Sequence, residues 1–296
     1  MEDITPTVIL AANCQKSITQ AERQLVEYTL LFHSLPKGWA LFRTDKRTGI
    51  RMIKMLVCDF DGTLDGGSSH GVDQLFNYLT KQPDIRFIIA TGRTLPSIRV
   101  GLASDNYPKP HTIISDVGTR IHHEHSQTPD HTWHNQLEAS WNKSKVESAL
   151  ASLDFMGERL EIHQGEYKIT FEGKLSDSQH ELIESSLESH GLDVHLTYSH
   201  DWYLDITPKG VNKATAIHHL LKQHQLSIEE VCVAGDSAND TSMLTIDGVN
   251  SILVANHYPE IAHLSDRDNV YTSRATHAEG VLEGLKYWQG LAASGN

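Results

Sequence analysis

An α/β fold is the class this sequence predicts: a parallel β-sheet covered by helices, interrupted by a smaller α+β unit. Two observations carry that prediction. Over residues 52–134, and again over 206–296, short apolar runs of strand length alternate with stretches whose apolar residues recur at helical spacing. That alternation is the pattern of a parallel sheet buried on both faces. Between them, over 135–205, strand candidates lie next to one another instead. Residues 52–134 and 206–296 are therefore expected to form one core, with 135–205 an inserted cap. Residues 1–51 form an extension to which no chemistry can be assigned.

The elements follow in order. In the extension, Ser17 can cap a helix carrying Ile18, Ala21, Leu25, Tyr28 and Phe32, ended by Pro36-Lys37-Gly38, and 39–52 reads as a hairpin. The run 53–58 is mostly apolar and too short for a typical helix, so it reads as a buried strand. A helix follows around 72–81, with Val72, Leu75, Phe76 and Leu79 on one face, then a strand over 85–90 and a short helix after Thr94. Further strands are expected near 112–114 and 119–122. In the inserted unit the sequence predicts a helix over 137–150 and strands at 159–163 and 167–172. A helix over 176–190, capped by Ser176 and stopped by Gly191, and strands at 194–198 and 202–206 complete it. The alternation then resumes, with a helix over 212–224, a strand at 231–234, a helix from about Asn239 and a strand at 251–254.

Composition bounds the function. The 296 residues are 39% hydrophobic and 21% charged, with a formal net charge of −13. An acidic chain is ill suited to a nucleic-acid backbone, although a local site can still bind a small anion. No apolar run approaches the roughly 20 residues that span a bilayer. Met1 to Pro6 is acidic and no cleavable apolar core follows, and Cys14, Cys58 and Cys232 are far apart. These features lead to an expected cytoplasmic location, no membrane partner and cysteines that serve as small core residues. Oligomeric state is not legible.

Four separated strings carry the chemistry: Asp59-Phe60-Asp61-Gly62-Thr63, Thr91-Gly92-Arg93, Lys213 after Gly210, and Gly235-Asp236-Ser237-Ala238-Asn239-Asp240. Each follows an expected strand or opens an expected helix, and in a parallel sheet the carboxyl ends of the strands share one edge, where ligands bind. A phosphate monoester repels a carboxylate nucleophile. A divalent cation held by Asp59 and Asp236 cancels that repulsion, and Mg²⁺, which prefers oxygen and keeps several waters, suits so sparse a site. Lys213 and the Thr91 hydroxyl add donors where phosphoryl charge spreads.

In combination these strings resemble the signature of the haloacid dehalogenase superfamily of phosphatases, over about 52–296. The resemblance implies a Rossmann-like core and an α/β cap. It implies Asp59 as nucleophile forming an aspartyl-phosphate, and Asp61 as general acid and then base. Thr91, Gly92, Arg93 and Lys213 would bind phosphate. Asp59, Asp61 through its backbone carbonyl, and Asp236 would bind Mg²⁺, with Asn239 and Asp240 in support. Ser115-Asp116-Val117-Gly118-Thr119, Tyr167-Lys168-Ile169-Thr170, Leu204-Asp205-Ile206, the run 208–213 and Val254-Ala255-Asn256 are similar to the sucrose-phosphate phosphatase branch. That implies a small phosphorylated sugar as substrate, with Lys168 and Asp205 as cap residues that touch it. A related sugar phosphomutase and a non-catalytic sugar-phosphate-binding subunit are the alternatives.

Other features weigh less. Arg93 can bind phosphate or pair with a nearby carboxylate. Lys209 competes with Lys213 but reads as a surface charge. His122-His123-Glu124-His125, with His131 and His134, does not have zinc-protease spacing and reads as a solvated loop. Trp133, Trp141, Tyr198, Trp202 and Tyr203 can stack on sugars, though core packing is the commoner role.

Overall fold

The computed structural model describes residues 52–290 apart from His125, Gln127 and Ala139. The helix and hairpin expected in 1–51, and Cys14, lie outside the described residues.

The core is a seven-stranded sheet. Its strands are β1 (Met55–Cys58), β2 (Arg86–Ala90), β3 (Thr112–Ser115), β4 (Arg120–His123), β8 (Val231–Gly235), β9 (Asn250–Leu253) and β10 (Val270–Thr272), in the order β10-β9-β8-β1-β2-β3-β4. All neighbours are parallel except β3 and β4. β1 is central and fully buried, as its apolar sequence requires. The chain leaves β1 toward β2 and β3, then returns to lay β8 on the other side. The order therefore reverses between β1 and β8, which is where an open α/β sheet forms a crevice.

Helices cover both faces. Met55, Val57, Val231 and Val233 pack with Ala216, Ile217 and Leu220 of the helix Lys213–His224 on one side. Leu56, Cys58, Cys232 and Ile252 pack with Val72 and Leu75 of Ser69–Thr80 and with Val281 and Leu285 of His277–Trp288 on the other. Both cysteines are fully buried free thiols in this core. Among the described residues no helix is long and apolar enough to cross a membrane.

The middle of the chain builds a second, three-stranded antiparallel sheet in the order β5 (Ile169–Glu172), β7 (Tyr203–Pro208), β6 (Val194–Ser199). Helices Lys143–Leu150 and Asp177–Ser189 pack on it through Val146, Leu150, Ile183 and Leu187. Ser176 caps the second helix in a reciprocal capping box with Gln179, and Gly191 follows with φ +65°, as its sequence predicts. The helix His131–Glu138 and strand β7 each run across a boundary expected from sequence, at 134/135 and 205/206.

Two expectations for this unit fail. The helix expected over 137–150 is two helices, His131–Glu138 and Lys143–Leu150, because Asn142 accepts the Lys145 N–H and starts a new one. The strand expected at 159–163 is instead a 3₁₀ turn over Glu161–His163. Its alternating Leu160 and Ile162 are 44% and 57% exposed, and only Glu158 makes a bridge, to Glu172.

Candidate active site

The four sequence strings meet at the carboxyl edge of the sheet. Asp59 follows β1 and Asp236 follows β8, and the Asp59 N–H donates to Ala234 O at 2.9 Å, so the two carboxylates flank the reversal point. Thr91 follows β2, its N–H held by Ile114 O at 2.8 Å. Lys213 is the first residue of its helix, set by a capping box between Asn212 and Thr215. Gly118, at φ +101°, abuts that start: a Cβ there would lie 2.3 Å from the Asn212 carbonyl.

Lys213 is fully buried, and its ammonium donates to Asp59 Oδ1 at 2.7 Å, Asp240 Oδ1 at 2.7 Å and Asn239 Oδ1 at 2.9 Å. Three donors meet three acceptors, so the charge is saturated. Burial alone lowers its pKa, but the carboxylates of Asp240 and Asp59 more than offset this and hold the ammonium charged. Asp240 Oδ2 accepts the N–H groups of Asp236 and Ser237 at 2.9 and 3.2 Å. Lys209, by contrast, forms an exposed pair with Asp193.

Asp236 is arranged differently. Its Oδ1 accepts the Thr63 hydroxyl at 2.7 Å, while Oδ2 is buried without a partner. Burial and the charge of Asp240 push its carboxyl up to about 7. Gly62, at φ +75°, passes so close that a Cβ would lie 2.4 Å from that oxygen, and only glycine combines the backbone angle with the space. Asp59 is likewise raised, by burial first and then by Asp240, with Lys213 partly offsetting both. Among the described residues, Asp59, Asp236 and Asp240 form the one group of metal-capable side chains, each offering an oxygen within 4.8 Å of the others. With all three carboxylates ionised, three negative charges against one ammonium give a formal charge of −2, and their mutual repulsion adds to burial in raising Asp59 and Asp236. An unmet buried oxygen and a deficit of two charges fit a divalent, oxygen-seeking cation.

Asp61 lies outside that cluster. Arg93 grips its carboxylate through Nε, at 3.1 and 2.8 Å to the two oxygens, and through Nη2, and the guanidinium sits 5.0 Å from the centroid of the Phe60 ring. Of the two roles open to Arg93 from sequence, the pairing with a carboxylate is the one seen. The Thr91 hydroxyl accepts the Arg93 N–H at 3.1 Å.

Above these groups opens a cavity of about 540 Å³, within the range of small-molecule sites. Asp59, Asp61, Gly92, Arg93 and Asn239 line one side. Lys168 and Asp205 line the other, both nearly buried. Lys168 Nζ donates to Gly92 O at 2.9 Å and pairs with Asp205 at 3.3 Å, while Thr170 donates to Asp205 at 2.7 Å. His200 lies in the stretch His200–Asp205, whose donors, acceptors and rings suit a polyhydroxylated ligand. Sequence reasoning missed Ser97, His163, Ser199 and Tyr258, which share this lining, because none belongs to a local motif.

Tyr203, one of the aromatics able to stack on sugars, also lines this cavity, while the remaining aromatics and histidines have other partners. Trp133 is core, its indole N–H on Gly118 O at 3.0 Å, and Trp202 is half exposed. His123 and His219 both reach Asp130, at 3.2 and 3.1 Å. His125 lies outside the described residues.

A family model for sucrose-6F-phosphate phosphohydrolase matches residues 52–289. The chain belongs to this family. Its members are sugar-phosphate phosphatases of the haloacid dehalogenase superfamily, as the sequence motifs imply. The chain is 32% identical over 248 residues to a glucosylglycerol-phosphate synthase of Pseudomonas anguilliseptica, covering 81% of this chain and 32% of that protein. It is 26% identical over 245 residues to a mannosylfructose-phosphate phosphatase of Agrobacterium fabrum, covering 81% of this chain and 98% of that one. The chain thus spans about a third of the first relative's length and almost all of the second's. The crystal structure of a Synechocystis sucrose-phosphatase, in complex with sucrose and phosphate, shares the fold with a TM-score of 0.74 at 22% identity, over 80% of this chain and 98% of that one.

Proposed function

We propose that the protein hydrolyses a phosphorylated glycoside of the sucrose 6-phosphate kind to the free glycoside and inorganic phosphate. The observation that carries this reading is the buried Lys213–Asp59 pair beneath a cavity whose far wall is lined by polar groups of the three-stranded sheet. The relatives' names support the class of leaving group: sucrose, mannosylfructose and glucosylglycerol are all glycosides.

In this reading Asp59 attacks phosphorus, the phosphorus–oxygen bond to the sugar breaks, and Asp61 gives its proton to the departing oxygen. Asp61 then takes a proton from water as that water attacks the aspartyl-phosphate, releasing phosphate and restoring Asp59. Lys213 favours the ionised form of Asp59, against burial and Asp240, and, with the Thr91 hydroxyl and the backbone at Gly92, stabilises phosphoryl charge in the transition state. Arg93 grips both oxygens of Asp61, so the acid step requires that Arg93 release at least one of them. Mg²⁺, held by Asp59, Asp236 and the backbone carbonyl of Asp61, would neutralise charge on the phosphoryl group. Asn239 and Asp240 keep Lys213 and the Asp236 loop in place. The cap over 135–205 selects the sugar, with Lys168 and Asp205 on its inner wall. The two buried thiols suit a reducing compartment, and we place the protein in the cytoplasm.

The test is a panel of phosphorylated disaccharides, glycosides and simple hexoses, assayed for inorganic phosphate and free sugar. The glycoside phosphates should give the higher kcat/KM, chelation should stop turnover and added Mg²⁺ should restore it. A hexose phosphate that outperforms every glycoside phosphate overturns the substrate assignment, and a phosphoryl group that stays on the sugar identifies a mutase.

Asp61→Asn removes the proton transfers, which typically contribute 10²–10⁴-fold. In single-turnover phosphorylation it should slow a sugar phosphate by about that factor and an activated aryl phosphate by much less, since the better leaving group needs little acid help. Equal losses on both would exclude the acid role.

A further inference from the structure

The hairpin joining β6 to β7 ends in a turn that the Trp202 N–H closes onto Ser199 O at 3.1 Å. Its central residues, His200 and Asp201, hold φ of 58° and 52°. Glycine and asparagine fill such positions at least cost. The Asp201 carboxylate points away from the cavity's needs, pairing with Lys174 at 2.5 Å. His200 does something else. Its ring meets that of Tyr258 edge to face, with centroids 4.7 Å apart at 89°, and both residues line the cavity. Its Nδ1 is buried with no hydrogen-bond partner.

Tyr258 comes from the opposite body of the molecule, the segment after β9. Its N–H donates to Asp236 O at 2.7 Å, which ties the position of the ring to a residue of the candidate cation site. The two rings thus span the cavity between the three-stranded sheet and the core. A polar ring nitrogen left unmet, on a turn that disfavours side chains, is an arrangement that packing alone does not explain.

We propose that His200 and Tyr258 form an aromatic clasp across the cavity that contacts the leaving sugar and determines specificity for it. This rests on the glycoside phosphatase reading above. Aromatic faces fit the C–H faces of a sugar ring, and the imidazole adds one hydrogen bond to a hydroxyl. The clasp acts on the leaving group and not on the phosphoryl group, so a substrate with a small leaving group, such as acetyl phosphate, does not use it.

The experiment is a double-mutant cycle with His200→Gly and Tyr258→Ala, measuring kcat/KM for a glycoside phosphate and for acetyl phosphate. Glycine suits the positive φ, so the hairpin survives and the melting temperature should not fall. Each single variant should lower kcat/KM for the glycoside phosphate about tenfold, the double variant about as much as either single, and acetyl phosphate should change by less than about twofold. If Tyr258→Ala melts below wild type, Tyr258→Leu keeps apolar bulk without the ring and should show the same selective loss. Multiplicative losses, equal losses on acetyl phosphate, or no loss overturn the clasp. Wild-type protein that turns over acetyl phosphate but no glycoside phosphate overturns the function itself. That result is distinct from active wild type with indifferent variants, which overturns the clasp alone.

Discussion

Asp59→Asn is expected to abolish phosphate release, by at least about 10⁴-fold, while leaving the fold intact. The amide keeps the shape of the side chain, and its oxygen can still accept the Lys213 ammonium that lies 2.7 Å from Asp59 Oδ1. It cannot attack phosphorus and is a poor cation ligand. Stability should change little, for two reasons. Asp240 still pairs with Lys213 at 2.7 Å, so no buried ammonium is left alone. The lost charge was also one that burial and Asp240 already disfavoured. Thermal denaturation should therefore overlay wild type. Acid-quenched wild-type enzyme should carry phosphoryl on the peptide containing Asp59, and the variant should carry none. Phosphate release within tenfold of wild type would remove Asp59 from the nucleophile's role.

The convergence of the four strings was legible because each group sits in a short string at a strand end or helix start, and the parallel topology then brings those strings to one edge. Lys213 is preferred over Lys209 because its spacing is the one the family resemblance implies; in the structure it opens the helix that Asn212 caps. What could not be read is what depends on tertiary pairing. His200, in the turn between β6 and β7, and Tyr258, in the segment after β9, meet across 58 residues of chain, and nothing in either local sequence points to the other. The run 159–163 alternates like an edge strand, yet it ends as a 3₁₀ turn whose Ile162 carbonyl accepts the Thr94 hydroxyl at 3.0 Å. The final helix, His277–Trp288, did carry a signal in Ala278, Val281, Leu282 and Leu285. The elements read from sequence stop at the strand over 251–254 and do not include it; its Gly284 is there for space, since a Cβ would lie 2.6 Å from Ile252.

Lys213→Ala should cost both activity and stability, and the two losses should respond differently to Mg²⁺. Removing one partner of a buried ion pair typically costs about 3–5 kcal/mol, because the other charge remains buried and uncompensated. Here two partners are stranded, Asp59 and Asp240, with Asp236 beside them. The variant should melt well below wild type in the presence of a chelator. A divalent cation binds the native cluster and not the unfolded chain, so Mg²⁺ should raise the variant's melting temperature more than that of wild type. Turnover should stay low at saturating Mg²⁺, because the ammonium that neutralises Asp59 and the phosphoryl group is missing. Lys209→Ala provides the comparison. Its pair with Asp193 is solvent-exposed, so the change should cost no more than about 1 kcal/mol and leave kcat/KM unaltered. An active Lys213→Ala enzyme that melts with wild type, beside an impaired Lys209→Ala, would mean that the wrong lysine has been placed at the centre of the site.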